Sequence, residues 1–188
     1  MNNLIVVIGR SGCGKTTMCD LLEERRGIKQ IRTYTTKAPR DKYDNSHKFS
    51  NYTQYVFAKS FCNIISETQW LDENKDEMVY YWTIDNQIEQ GEPQTLVVDN
   101  SGLKMIREFK IPHTSIYIIS DQDKRYRNLM GNTEKLDYIE YRSKRDKVLA
   151  RMNRDKDFEI VSADYTIDGN CTIEELYERV CSVIDGKE

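Results

Sequence analysis

Three prolines and nine glycines in 188 residues are too few for a collagen-like or a Pro/Gly-rich disordered chain. Histidine is scarcer still: His47 and His113 are the only two, too far apart for a histidine metal cluster, so any metal would be held by oxygen ligands and phosphate. None of the five cysteines (Cys13, Cys19, Cys62, Cys171, Cys181) stands in a C-x-x-C pair. That excludes a zinc ribbon and a disulfide framework and leaves reduced thiols, as in the cytoplasm. Long hydrophobic runs are missing too. Leu4–Ile8 is too short for a signal core or a membrane span and has no basic segment before it, so neither secretion nor membrane insertion is expected. Charge of one sign is also lacking: 28 Lys and Arg stand against 31 Asp and Glu, a net −3, which excludes a generally basic binder of nucleic acid or membrane surfaces. The length fits a single domain, able to bury roughly 70% of the surface its unfolded chain would expose.

What is present is a strand–helix rhythm. Leu4-Ile5-Val6-Val7-Ile8 is a β-branched run of the kind that forms a buried strand. It breaks into Gly9, Gly12 and Gly14, then becomes helix-like through Met18, Leu21 and Leu22 to about Arg26. Thr95–Val98 and Ser115–Ile119 read as buried parallel strands, each followed by a helix, near Leu103–Phe109 and Lys124–Met130. A weaker strand, Asp164–Ile167, precedes a helix over Thr172–Ile184 that Thr172 and Glu175 open as a capping box. This alternation predicts an α/β domain around a parallel sheet. Residues 30–83 break the rhythm. They are rich in Tyr, Thr, Asn and Ser and offer only short strands: Gln30–Tyr34, Lys48–Phe49, Asn63–Glu67 and Met78–Trp82. A small lobe inserted after the first strand–helix unit would look like this, and the polar residues 131–141 would make a lid.

Gly9-Arg10-Ser11-Gly12-Cys13-Gly14-Lys15-Thr16 fits G-x-x-x-x-G-K-[ST] at every defined position, with a strand leading in and a helix leading out. The glycines let the backbone wrap so that successive N–H groups face phosphate oxygens, and the helix N-terminus adds roughly half a positive charge. Lys15 would reach the β- and γ-phosphates of ATP, and the Thr16 hydroxyl would ligate Mg²⁺. Gly9, Ser11, Gly12, Cys13, Gly14, Lys15, Thr16 and Thr17 are the candidate ATP contacts. Cys13 is read as a small filler, with a redox-sensitive thiol at a helix N-terminus as the alternative. Asp99 ends the strand run Val97-Val98 at the carboxyl edge of the sheet, where ligands of open α/β folds sit. A Mg²⁺ ligand, a substrate contact and a helix cap all suit it.

The phosphate acceptor is read elsewhere. Thr33-Tyr34-Thr35-Thr36-Lys37-Ala38-Pro39-Arg40 gathers hydroxyls and two cations within eight residues, as a site for a doubly charged phosphate monoester needs. Here the chain resembles the guanylate kinase family. The likeness rests on Gly9–Thr17, on Thr33–Arg40, on the pair Tyr80-Tyr81, on a helix from Ile84 to Gly91, and on Leu96-Val97-Val98-Asp99 followed by Gly102. The resemblance implies a three-layer α/β P-loop kinase fold with a parallel central sheet. Its core would span about 1–30, 84–130 and 142–188, with a nucleoside-monophosphate-binding lobe at about 31–83 and a lid at about 131–141, all in one domain. It implies that Arg40 grips the acceptor phosphate with Lys37 in place of a second arginine, and that His47 and Tyr81 stand where the family has phosphate-binding tyrosines. Glu67 would read the guanine base with Thr33 as hydroxyl partner. Lys37, His47 and Trp82 depart from the family pattern and bear on guanine specificity.

Residues 124–156 carry eleven Lys/Arg against five Asp/Glu, a local +6 inside the overall −3. The resemblance makes Arg127, Arg142 and Arg145 the lid arginines that neutralise charge on the transferring phosphoryl group; Arg151 and Arg154 are read as part of a solvated face. The expected activity is Mg²⁺-dependent transfer of the ATP γ-phosphoryl to GMP or a related (deoxy)nucleoside monophosphate. Lys15 and the lid arginines would carry it without a general base. A kinase of another small phosphorylated acceptor, and an inactive guanylate-kinase-like binding module, are the alternatives. The expected partner is a nucleotide, with no nucleic acid and no membrane, and the sequence leaves oligomeric state open.

Overall fold

Every side chain of Leu4–Ile8 is buried, as a strand covered on both faces requires. The computed structural model describes residues 3–39, 42, 44, 46–72, 76–155 and 162–187. Among them the elements run β1 (Leu4–Ile8), α1 (Lys15–Arg26), β2 (Lys29–Gln30), β3 (Tyr34–Thr35), β4 (Lys48–Phe49), α2 (Tyr52–Phe61), β5 (Ile64–Asp72) and β6 (Glu77–Ile84). They continue with β7 (Gln94–Val97), α3 (Asn100–Glu108), β8 (His113–Ile119), α4 (Gln122–Met130), α5 (Tyr138–Arg154), β9 (Tyr165–Asp168) and α6 (Ile173–Ile184).

The central sheet has the order β2-β7-β1-β8-β9, and all four of its pairings are parallel. Alternation along β1 builds the layers. Ile5 and Val7 pack against Met18 and Leu22 of α1 and Leu176, Val180 and Val183 of α6. Leu4, Val6 and Ile8 pack on the other side with Leu103 and Ile106 of α3. This is the three-layer α/β fold that the sequence predicts. Thr172 and Glu175 cap α6 reciprocally, through Glu175 N to Thr172 Oγ1 (3.2 Å) and Thr172 N to Glu175 Oε2 (2.7 Å).

Residues 34–84 form a second sheet, β4-β3-β6-β5, antiparallel except between β3 and β4. Its core is aromatic: Tyr34 stacks on Trp82 and Tyr55 on Tyr80, with ring centroids 5.5 and 4.2 Å apart. The expected strand Gln30–Tyr34 is two short strands, one in each sheet, because the chain crosses between the sheets at Ile31–Thr33.

Two helices differ from expectation. The sequence reading has no counterpart of α2, which Asn51 caps by accepting from the Gln54 amide (2.9 Å). In place of a helix over Ile84–Gly91 there is a single 3₁₀ turn, Asp85–Gln87. A side chain takes a backbone bond that a helix would use: Gln94 accepts from Glu89 N (2.7 Å), while Gln87 caps the turn by accepting from Ile84 N (3.0 Å). The helix α5 begins at Tyr138, inside the segment expected as a lid, and packs Val148 and Met152 on Met130 of α4. Among the described residues no helix is long and apolar enough to cross a membrane.

Candidate active site

The turn from β1 into α1 wraps around the Lys15 ammonium, which donates to the carbonyl oxygens of Gly9 (2.7 Å) and Arg10 (2.9 Å). Gly14, at φ 99°, leads into α1 with no side chain and no side-chain cap, which leaves the first-turn amides of the helix available to an anion. Gly12, at φ 81°, lies against α4, where a Cβ would come within 2.6 Å of the Arg125 carbonyl oxygen. Cys13 is buried, and a Cβ on Gly9 would come 2.7 Å from its sulfur. This is the packing of a filler. Behind the loop, burial pushes the Cys19 thiol up to about 12, with a hydrogen bond to Thr95 opposing it, so this sulfur stays protonated.

A cavity of about 1220 Å³ opens from this loop and runs to the second sheet. It brings together Gly9, Ser11, Gly12, Cys13, Gly14, Lys15, Thr16 and Thr17 with Asp99 and, from the second-sheet side, Thr33, Lys37, His47 and Tyr81. The His47 ring meets Tyr81 edge-on, centroids 5.3 Å apart. Thr33 accepts from the Thr83 hydroxyl (3.4 Å). Asp99 is the cap of α3: its Oδ1 accepts from Gly102 N (2.9 Å) and the Ser101 hydroxyl (2.7 Å) while the residue also lines the cavity. Arg40 lies outside the described residues.

Four other expected site residues lie off this cavity. Glu67 projects toward α2, where Lys59 (2.9 Å) and the Tyr55 hydroxyl donate to its Oε1. Alternation along β5 gives the reason, because Ser66 and Thr68 take the cavity side. Arg127 is exposed on α4, while Lys124 and Asn128, four apart on one face, reach the cavity. Arg142 lies over the Tyr138 ring and Arg145 pairs with Asp146. The arginine of α5 that lines the cavity is Arg151. Nine positions separate it from Arg142, about two and a half turns, so the two point to opposite sides of the helix.

Arg151 was read as part of a solvated face but lines the cavity, and Asp155, Lys124 and Asn128 were not singled out by the sequence reading. Their signal was the i, i+4 spacing of each pair, which shows a shared face but not which face meets the loop. Asn128 donates to the Gly12 carbonyl (2.8 Å), and Lys124 donates to the carbonyls of Gly169 and Cys171.

The family model described as AAA domain matches residues 5–149. The chain belongs to that family. In sequence it is similar to the guanylate kinase of Fusobacterium nucleatum subsp. nucleatum, 27% identical over an alignment of 164 residues that covers 78% of this chain and 86% of that one. In fold it is similar to the crystal structure of guanylate kinase from Anaplasma phagocytophilum, with a TM-score of 0.62 and 18% identity over 99% of this chain and 86% of that one. The resemblance read from the phosphate loop and from Thr33–Arg40 is therefore found in sequence and in fold.

Magnesium, if a triphosphate brought it, would find two hard oxygen donors on the cavity, the Thr16 hydroxyl and the Asp99 carboxylate. Among the described residues no group of three His, Cys, Asp or Glu could hold an ion by itself. Two protein oxygens plus phosphate and water are the usual Mg²⁺ set, so the residues fit the ion only together with its nucleotide.

Proposed function

We propose that the chain is an ATP-dependent nucleoside monophosphate kinase of the cytoplasm, taking GMP or a related (deoxy)nucleotide as acceptor. One observation carries this reading: the phosphate loop and the cations and hydroxyls of the second sheet line a single cavity of about 1220 Å³. The donor triphosphate would lie on the loop amides and Lys15, and the acceptor phosphate beside Lys37, His47 and Tyr81, with Arg40 as an additional cation on the same segment. An acceptor phosphate oxygen attacks the γ-phosphorus in line. The bond from that phosphorus to the β–γ bridging oxygen breaks, and ADP leaves with both electrons.

The acceptor is already anionic, so no residue has to remove a proton. Positioning and charge neutralisation supply the rate. Lys15 and Arg151 are the chain's cations for the transferring group. Thr16 and Asp99 would hold Mg²⁺, which would supply charge neutralisation on the phosphates. Movement of residues 131–141 with the start of α5 would exclude water during transfer.

The departure at Glu67 favours a second acceptor on the same fold. With that carboxylate turned to α2, the β5 part of the cavity wall is formed by Ser66, Thr68, Gln69 and Trp70, which offer hydroxyls, an amide and a stacking ring rather than a charge for guanine. An ADP-release assay with ATP, Mg²⁺ and a panel of nucleoside monophosphates tests both readings. Turnover with GMP supports the first, turnover with another monophosphate the second. Absence of turnover with every acceptor would refute the enzyme reading in favour of a binding module.

A further inference from the structure

Both backbone groups of Ser11, in the first half of the phosphate loop, are held by two side chains from outside the loop. Ser11 N donates to Asp155 Oδ2 (2.7 Å), and Arg125 Nε donates to Ser11 O (2.8 Å). Arg125 closes the triangle by donating from NH2 to the same Asp155 oxygen at 2.6 Å. The guanidinium side chain is 5% exposed and the carboxylate 17%. A carboxylate beside an anion cradle would ordinarily repel a triphosphate. Here Arg125 neutralises it, and it engages Ser11 rather than the amides of the first turn of α1.

Asp155 is also the C-cap residue of α5, in helical conformation (φ −82°, ψ 0°), so the helical spacing runs through it. Arg151 stands four positions earlier, on the same face and about 6 Å up the axis. Both residues line the cavity. The apolar contacts of Val148 and Met152 fix α5 to α4, and the Asp155 carboxylate ties its C-terminal end to the loop.

We propose that Asp155 is a positioning residue: together with Arg125 it latches α5 to Ser11 of the phosphate loop and so sets where the Arg151 guanidinium stands over the donor phosphates. This rests on the kinase reading above. The latch makes order in the loop and placement of the arginine one event, since Ser11 cannot hold its position without Asp155 and Asp155 cannot move without carrying Arg151.

The test is a double-mutant cycle on the full chain, Asp155→Ala, Arg151→Ala and both together, read as kcat and KM for ATP with the best acceptor of the panel. Asp155→Ala and Arg151→Ala each lower kcat about 10- to 100-fold, the scale of a misplaced catalytic group. The double variant falls no further than Arg151→Ala alone, within about threefold. A role confined to stability would lower the melting temperature and leave kcat of the folded fraction unchanged, which overturns the proposal. So does a double variant whose loss is the product of the two single losses. Should Asp155→Ala fail to fold, Asp155→Asn keeps an acceptor for Ser11 N, removes the charge held by Arg125 and enters the same cycle. The cycle is read a second time on ATP affinity by calorimetry, which needs no acceptor. Wild-type protein that neither binds ATP nor turns it over defeats the kinase reading itself. Wild-type activity with an additive cycle defeats only the latch.

Discussion

Tyr55 of α2 donates its hydroxyl to the Glu67 carboxylate of β5, and Lys59, one turn along α2, donates to the same oxygen at 2.9 Å. The three groups form a polar seam between helix and sheet in a lobe whose core is largely aromatic. Burial and the bond to Glu67 both push the Tyr55 phenol up, and the bonds to Glu67 and Tyr55 push the Lys59 ammonium up. The phenol therefore stays protonated and the ammonium charged across the neutral range.

Glu67→Ala should consequently act on stability rather than on the acceptor. The Tyr55 hydroxyl, in a residue only 4% exposed, loses its acceptor, at a cost of about 1–2 kcal/mol. Urea unfolding measures that loss. KM for the acceptor is expected to stay within about twofold; a rise of tenfold or more would put Glu67 in the acceptor site after all.

Four strands of the central sheet were legible in the sequence to within one or two residues, because their buried parts read as apolar runs, whereas the edge strand β2 was merged with β3. Leu4–Ile8 coincides with β1, and the Thr172–Glu175 box marks the start of α6. The lobe was not. In α2 the apolar residues Tyr52, Tyr55, Val56, Phe57, Ala58 and Phe61 go round the helix, and Phe57 and Phe61 are exposed, so no 3.6-residue stripe appears. The phosphate loop was legible since its chemistry is local to eight residues. Arg151 and Asp155 were not, because their value depends on which face of α5 meets a loop some 140 residues earlier.

Gly12→Ala tests the contact between the loop and α4. The backbone is in the left-handed region, and a Cβ would stand 2.6 Å from the Arg125 carbonyl oxygen and 2.9 Å from Leu129 Cγ. Backbone strain and displacement of α4 together should cost roughly 1–3 kcal/mol. Differential scanning calorimetry is expected to show the lower melting temperature and isothermal titration at least a tenfold weaker ATP affinity; an unchanged affinity would mean that the first half of the loop is dispensable for donor binding.

Asp164 supplies a prediction in pH. Burial raises its pKa, but the Ser115 amide (2.7 Å) and hydroxyl (2.8 Å) donate to its Oδ2 and outweigh that, holding the carboxyl below its ordinary range. A carboxyl lowered in the fold stabilises fully above its unfolded pKa and loses that contribution as pH falls through the folded value. The stability gap between wild type and Asp164→Asn should thus be constant from about pH 8 to pH 5 and shrink below about pH 4. Urea midpoints across that range measure it, and a gap that widens in acid would reverse the sign argued here.

The arginines of α5 give the sharpest separation. Arg142 and Arg151 are nine positions apart on one helix; Arg142 lies over Tyr138 while Arg151 lines the cavity. Removing a cation from the region of the transferring phosphoryl costs rate on the order of 10²-fold, whereas removing an exposed one on the far side of the helix costs little. With the best acceptor at saturation, Arg151→Ala should therefore lower kcat by one to two orders of magnitude, and Arg142→Ala by less than about threefold. The reverse ranking would mean that α5 turns by about half a revolution when both nucleotides are bound, bringing Arg142 and not Arg151 over the phosphates. In that case Asp155, on the Arg151 side of the helix, would have to leave Ser11 during the cycle, and Asp155→Ala should then accelerate closure rather than slow transfer.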